Sequence, residues 1–249
     1  MILDCENIDT CIESLASILI MPSILIMRTL AEMDLEAIYR RNRILVSPDT
    51  FLLNYFKKHF NVGTEFNSSY WFHNSRVKKG GDFNAGILPL NLIHKEITTF
   101  VDSLAQSIER KPDNKSFSNN SNGGYHFLTK TNEKSHWVPY GYLVRQTAIK
   151  CPAMSHDYLK IPEIVEDYIG CKYNNIFEEL QNKYFENTIS CVVKFIAFRN
   201  EENLIGNALY YLYLSIRGEE LNMNSNTGFD NNAQIINADR IVKIEYLLK

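Results

Sequence analysis

At 249 residues, 45% hydrophobic and 22% charged, the chain is long enough to bury a substantial core and fits one large domain or two small ones. Its 26 basic and 29 acidic side chains leave a formal charge of −3, which excludes a global basic footprint for nucleic acid and confines any such contact to a local patch such as Arg76, Lys78 and Lys79. Five cysteines (Cys5, Cys11, Cys151, Cys171 and Cys191), odd in number and without a C-x-x-C pair, supply neither a disulfide framework nor a zinc site, so a reducing cytoplasm is the expected compartment.

In chain order, Ile8, Cys11, Ile12, Leu15, Ile18 and Leu19 recur at helical spacing and predict a first helix ending near Pro22. Pro22 then opens a second helix with a face of Leu25, Leu30, Met33 and Ile38, closed by Arg40, Arg41 and Arg43. The apolar run 15–27 is too short to span a bilayer and lacks the flanks of a signal peptide; it reads as buried helix, with no membrane role. Ser47-Pro48-Asp49 is an N-terminal helix signature, and Phe51, Leu52, Tyr55, Phe56 and Phe60 follow on one face. Residues 1–65 are therefore expected to form a helical subdomain and 66–249 a second, mixed domain.

The texture then changes. Tyr70-Trp71-Phe72 reads as a strand, Lys79-Gly80-Gly81 as its break, and Asp82 as the cap of a short helix to Ala85. A helix is expected over 96–108 and a polar loop over 110–122. Gly123 to Leu128 reads as a turn into a strand, and 138–144 as another strand. Helices are expected over 162–169 and 174–184, a strand over 188–198, and a helix from Leu204 stopped by Gly218. A second polar loop (222–232), a short apolar run (234–237) and a final strand (240–248) complete an α-then-mixed order, which argues for α+β rather than repeated βαβ units.

The stretch 70–90, YWFHNSRVKKGGDFNAGILPL, concentrates the chemistry. An imidazole at a strand end, with a hydroxyl two residues on and an arginine after it, can bond ribose hydroxyls or an amide and pair with a phosphate. A Gly-Gly break lets main chain approach a ligand. Read alone, the same residues also fit a strand-end histidine in a surface turn. Glu163 and Glu166 read as solvated helix carboxylates; His136, His156 and Asp157 lack metal spacing, and no metal is expected.

His73-Asn74-Ser75-Arg76, preceded by aromatic residues and followed by Phe83 and Gly86-Ile87-Leu88, resembles the histidine segment of ADP-ribosyltransferases of the diphtheria-toxin and poly(ADP-ribose) polymerase branch. The resemblance implies an ADP-ribosyltransferase-like fold of split antiparallel β-sheets and NAD as co-substrate. His73 would hold the adenosine-side ribose, Asn74 would bond the nicotinamide amide through its backbone, and Ser75 and Arg76 would complete the pocket. Asn74 stands where that family has glycine. Gly124-Tyr125-His126-Phe127 is similar to the family's turn-and-tyrosine element. Tyr125 is favoured to stack on nicotinamide over His126, because strand alternation lets only one of them face the cleft. The family's late glutamate, which stabilises positive charge developing on the ribose, has Ala233 or Gln234 at the similar position. Three readings stay open there: a chain inactivated by substitution, a natural variant with altered transfer, or a shifted register in which Glu219, Glu220 or Asp230 serves.

The resemblance thus implies a cytoplasmic mono-ADP-ribosyltransferase that modifies a protein or nucleic acid, in the manner of a toxin, effector or phage-defence enzyme, with an antitoxin or inhibitor protein as a further partner. An RNA 2′-phosphotransferase-like enzyme and a non-catalytic NAD- or partner-binding module are the alternatives.

Overall fold

The computed structural model describes residues 1–43, 45–109, 122–150 and 156–247; the polar loop expected over 110–122 falls almost wholly outside them, as does Cys151. The protein is α+β. The chain divides into two compact units that alternate along it: unit one holds Met1–Phe72, Gly141–Ala148 and Phe195–Phe229, and unit two holds His73–Tyr140, Ile149–Lys194 and Asp230–Lys249. Residues 1–65 therefore belong with later segments of unit one.

Unit one begins with β1 (Ile2–Leu3) and α1 (Ile8–Leu19), whose start is fixed by a capping box between Asn7 and Thr10. The second helix expected from the sequence is two: α2 (Ser23–Glu32), with Pro22 at its N-cap, and α3 (Leu35–Asn42). Asp34 causes the break by accepting the amide of Ala37 at 2.9 Å. The Arg217 guanidinium takes the freed carbonyls of Ala31 and Met33. α4 (Pro48–Phe60) starts as its Ser-Pro signature predicts, although the Ser47 hydroxyl bonds the Thr50 hydroxyl rather than a backbone amide.

β2 (Ser68–Lys78) passes from unit one into unit two and is longer than the aromatic triplet that announced it. Unit one also contains β3 (Gly141–Tyr142) and most of α7 (Arg145–Lys150). Pro139 cannot donate to a ladder, which accounts for β3 being far shorter than the strand expected over 138–144. α10 (Asn203–Arg217) is buried without interruption from Leu204 to Leu214 and ends at left-handed Gly218, as expected. It lies against α4 at Gly206, where a Cβ would come within 2.7 Å of the Asp49 carbonyl oxygen. β5 (Gly228–Phe229) lies in what read as a polar loop; its Phe229 ring sits 5.3 Å from Trp71 and 5.0 Å from Phe195.

Unit two holds α5 (Leu90–Gln106), α6 (Asn122–Asn132), α8 (Glu163–Lys172) and α9 (Phe177–Asn187), then β4 (Thr188–Ala197), which ends in unit one, and β6 (Ile241–Leu247). Its core gathers Val101, Leu104, Val165, Ile169, Leu180 and Tyr184. α5 and α8 are joined by a polar knot as well. The Asp102 carboxylate accepts from Tyr168 at 2.8 Å, Tyr173 at 2.7 Å and Lys172 at 2.9 and 3.0 Å. The Lys172 ammonium lies 5.1 and 5.2 Å from the centres of the two tyrosine rings.

The strand order is β5-β3-β2-β4-β6, with β1 parallel to β2 and with β2–β3 and β3–β5 antiparallel. Phe72 pairs with Tyr142, and Gly141 with Phe229. Among the described residues no single helix is long and apolar enough to cross a membrane; the apolar pair α1 and α2 is bent by 107°.

Candidate functional site

The part of β2 that lies in unit two carries His73, Asn74, Ser75 and Arg76, all half-buried. Alternation along a strand puts His73 and Ser75 on one face and Asn74 and Arg76 on the other. The His73 Nδ1 lies 2.6 Å from the carbonyl oxygen of Tyr140. A carbonyl only accepts, so the proton is assigned to Nδ1 and Nε2 keeps a lone pair. Burial pushes the imidazole's pKa below its ordinary value, against the opposing pull of that hydrogen bond. His73 is therefore a neutral side chain whose Nε2 can accept a hydrogen bond from a ligand hydroxyl.

Arg76 is committed elsewhere. Its guanidinium donates to the Thr188 hydroxyl at 3.0 Å, the Leu159 carbonyl at 2.7 Å and the Thr188 carbonyl at 3.4 Å, and lies 5.2 Å from the Phe185 ring centre. It ties the approach to α8 to the start of β4. The phosphate-binding fork expected of it is used on protein carbonyls, on the face of β2 away from His73.

The Gly-Ile-Leu tail also has a structural task. Ile87 and Ile236 exchange both backbone hydrogen bonds, at 2.8 and 3.1 Å. Gly86 makes this possible: its φ of +83° is left-handed, and a Cβ there would run into the Ile236 carbonyl. The helix expected over 82–85 is instead a tight turn. Asp82 accepts the Asn84 amide at 3.0 Å, and the Gly86 amide donates to the Phe83 carbonyl at 2.8 Å. Two stretches almost 150 residues apart in sequence, 86–87 and 234–236, are thereby brought together. Gln234 itself is exposed, on a turn in which Asn232 and Ala233 both take positive φ, 51° and 59°. Its amide donates to the Asn231 carbonyl at 3.0 Å.

Tyr125 and His126 require a correction. Gly123 to Leu128 lies in the helix α6 rather than in a turn and strand, so the alternation argument that chose between the two residues lapses. Both are exposed, Tyr125 to 65%, and their rings touch each other edge to face. The inward face of α6 is carried by Phe127, 5.2 Å from the Tyr168 ring, and by Lys130. Lys130 pairs with Glu163 at 2.8 Å and Asp167 at 2.7 Å. The Gly-Gly pair that signalled a turn lies in the first turn of the helix, where α6 packing on α8 overrides its low propensity.

The Tyr140 segment was not legible from residue type, because its contribution to His73 is a backbone carbonyl. Its phenol is pushed up in pKa first by burial and then by the negative charges of Asp230 and Glu163. Burial would raise the Glu163 carboxyl, but the hydrogen bond and charge of Lys130 outweigh it and hold the group below the usual carboxylate range. The surroundings of Tyr140 are thus acidic, with Glu163 already engaged by Lys130. Glu219 and Glu220 are exposed and belong to unit one.

A concavity of about 430 Å³ in unit two is lined by Ser107, Ile108, Glu109, Glu179, Asn182, Lys183 and Glu186, and does not include His73. Among the described residues no group of three or more His, Cys, Asp or Glu is arranged to hold a metal ion. No family model matches the chain, and no curated protein or solved structure matches it.

Proposed function

We propose that the chain is an NAD-dependent mono-ADP-ribosyltransferase of the H-Y-E type, acting on a macromolecular acceptor. The observation that carries this reading is His73: a neutral imidazole fixed by the Tyr140 carbonyl, with Nε2 free to accept from a ribose hydroxyl. NAD would supply ADP-ribose as its bond to nicotinamide breaks. The residues that fit such a ligand are His73, Ser75 on the same strand face, and the Gly86–Ile87 main chain, whose pairing with Ile236 brings the turn bearing Gln234 beside it. For the acid, Asp230 is the stronger candidate, since its charge reaches Tyr140 whereas Gln234 has none. The α+β layout with mostly antiparallel strands supports the corresponding split-sheet transferase fold as part of the same proposal.

The exposed positions of Tyr125 and Gln234, and the engagement of Arg76, favour a second reading in which the site binds NAD without transferring ADP-ribose. Calorimetry with NAD on the unaltered chain and on His73→Ala tests the site. Binding lost in the variant supports it, and equal affinity of the two proteins, or no binding by either, overturns it. Labelled NAD incubated with cell lysate then separates the readings. Transfer that Asp230→Ala abolishes supports the enzyme; binding without transfer by the unaltered chain and by Gln234→Glu supports the binding module.

A further inference from the structure

Unit one holds two thiols in contact. Cys5 follows β1 and forms an isolated parallel bridge with Val144, its carbonyl accepting the Arg145 amide at 3.1 Å. Cys11 lies one turn into α1, just after the capping box of Asn7 and Thr10 that sets where the helix begins. Both cysteines are free, both are buried at 0% exposure, and their sulfurs lie 3.7 Å apart. The Cys11 sulfur is also 3.8 Å from the Ala208 carbonyl oxygen on α10, to which its S–H donates. We propose that Cys5 and Cys11 form an oxidation site, a pair of thiols that a peroxide converts to an intramolecular disulfide and a dithiol reductant reopens.

The placement of the sulfurs favours the disulfide over other products of oxidation. A peroxide oxidises one thiol to a sulfenic acid and leaves as water; the second sulfur then attacks the first and displaces another water. Two S–H bonds and the O–O bond break, one S–S and two O–H bonds form, and the two electrons lost by sulfur reduce the peroxide. The closing step brings the sulfurs from 3.7 Å to about 2 Å. Because the main-chain bridge to Val144 and the first turns of α1 already hold them in contact, closure outruns a second oxidation of the sulfenic acid by free peroxide. Burial, followed by the hydrogen bond and charge of Cys5, pushes the Cys11 thiol above its ordinary pKa. Thiolate is therefore scarce, and exchange with other thiols is slow. The pair stays reduced at rest and answers a sustained oxidant, as a redox-sensing pair does and a permanent bridge does not.

Mass spectrometry of the folded chain treated with excess hydrogen peroxide tests this. After the peroxide is removed, the chain is alkylated in denaturant and cleaved before Asp9, which lies between the two cysteines. The peptide carrying Cys5 is expected to be joined to the peptide carrying Cys11, neither alkylated, at a mass about 2 Da below the sum of the reduced pair, the loss of two hydrogens. Dithiothreitol added before alkylation should return both peptides in alkylated form. Cys5→Ser and Cys11→Ser, checked for folding by circular dichroism, should each abolish the joined pair; the result on the unaltered chain stands without them. Both thiols still alkylated after peroxide, a join to other cysteines instead, or a sulfinic acid at either position without the join, overturns the proposal.

Discussion

The two compact units secure their helices by opposite means. In unit one, α4 meets α10 where a side chain is missing: Gly206 lets the Asp49 main chain approach α10, and the surroundings are a run of buried residues from Leu204 to Leu214. In unit two, α5 meets α8 through what side chains add, with the Asp102 carboxylate receiving three donors. The first contact depends on the close fit of backbone to backbone; the second depends on charge and therefore on pH. Two parts of one chain can therefore be disturbed by different agents.

The largest expected effect falls on unit one. Gly206→Leu forces a side chain into space held by backbone, and thermal unfolding should report a loss of about 3 kcal/mol or more. Next comes Asp102→Ala, which leaves Lys172 and two tyrosines without their acceptor; because carboxylate and ammonium are each about one-third exposed, the expected loss is only about 1–2 kcal/mol. The two variants should add, since their sites belong to different cores.

The pH profile sharpens the contrast. Burial works to raise the Asp102 carboxyl, but the bonds from Lys172, Tyr173 and Tyr168 hold it below its ordinary value. A carboxylate depressed in the native state contributes stability that is present above about pH 4 and is lost as pH falls through the lower native pKa. Denaturant midpoints should thus fall as pH drops below about 4 in the unaltered chain, and Asp102→Asn should flatten that limb. At the alkaline end the sign reverses. Burial first, and then the Asp102 bond, push the Tyr173 phenol up to about 12. Its contribution is present below about pH 10 and lost as pH rises through about 12. Tyr173→Phe, the smallest effect, should cost about 0.5–1 kcal/mol near neutrality and remove part of the alkaline limb.

Helices whose ends carry local chemistry were legible in the sequence: Ser47-Pro48 before α4, Pro162 before α8 and Gly218 after α10 all mark boundaries the structure keeps. Elements defined by tertiary pairing were not. β2 runs on through the polar residues 73–78 because neighbouring strands pair with it, and nothing in His-Asn-Ser-Arg reads as extended chain. α6 was hidden by its glycines, and Met33–Asp34 concealed a break within an apolar pattern. At the candidate site the sequence pointed to His73, whose side chain bears the chemistry. It could not point to Tyr140 or Ile236, which act through carbonyls that every residue possesses. Nor could it tell that the Cys5 and Cys11 sulfurs, six positions apart in the sequence rather than the three of a C-x-x-C pair, lie 3.7 Å apart in the core of unit one.

The alternation of the two units along the chain bears on how the protein can be taken apart. Three segments build each unit, and the passages between them fall inside β2, α7 and β4 as well as beside β3 and β5. No single cleavage releases either unit as a continuous fragment, and a truncation at any of these points strips residues from both. Fragment expression, the usual first step in assigning an activity to part of a chain, would here produce two incomplete cores. Deletion mapping is therefore expected to report loss of folding at every boundary, and point substitution in the undivided chain is the means of locating function.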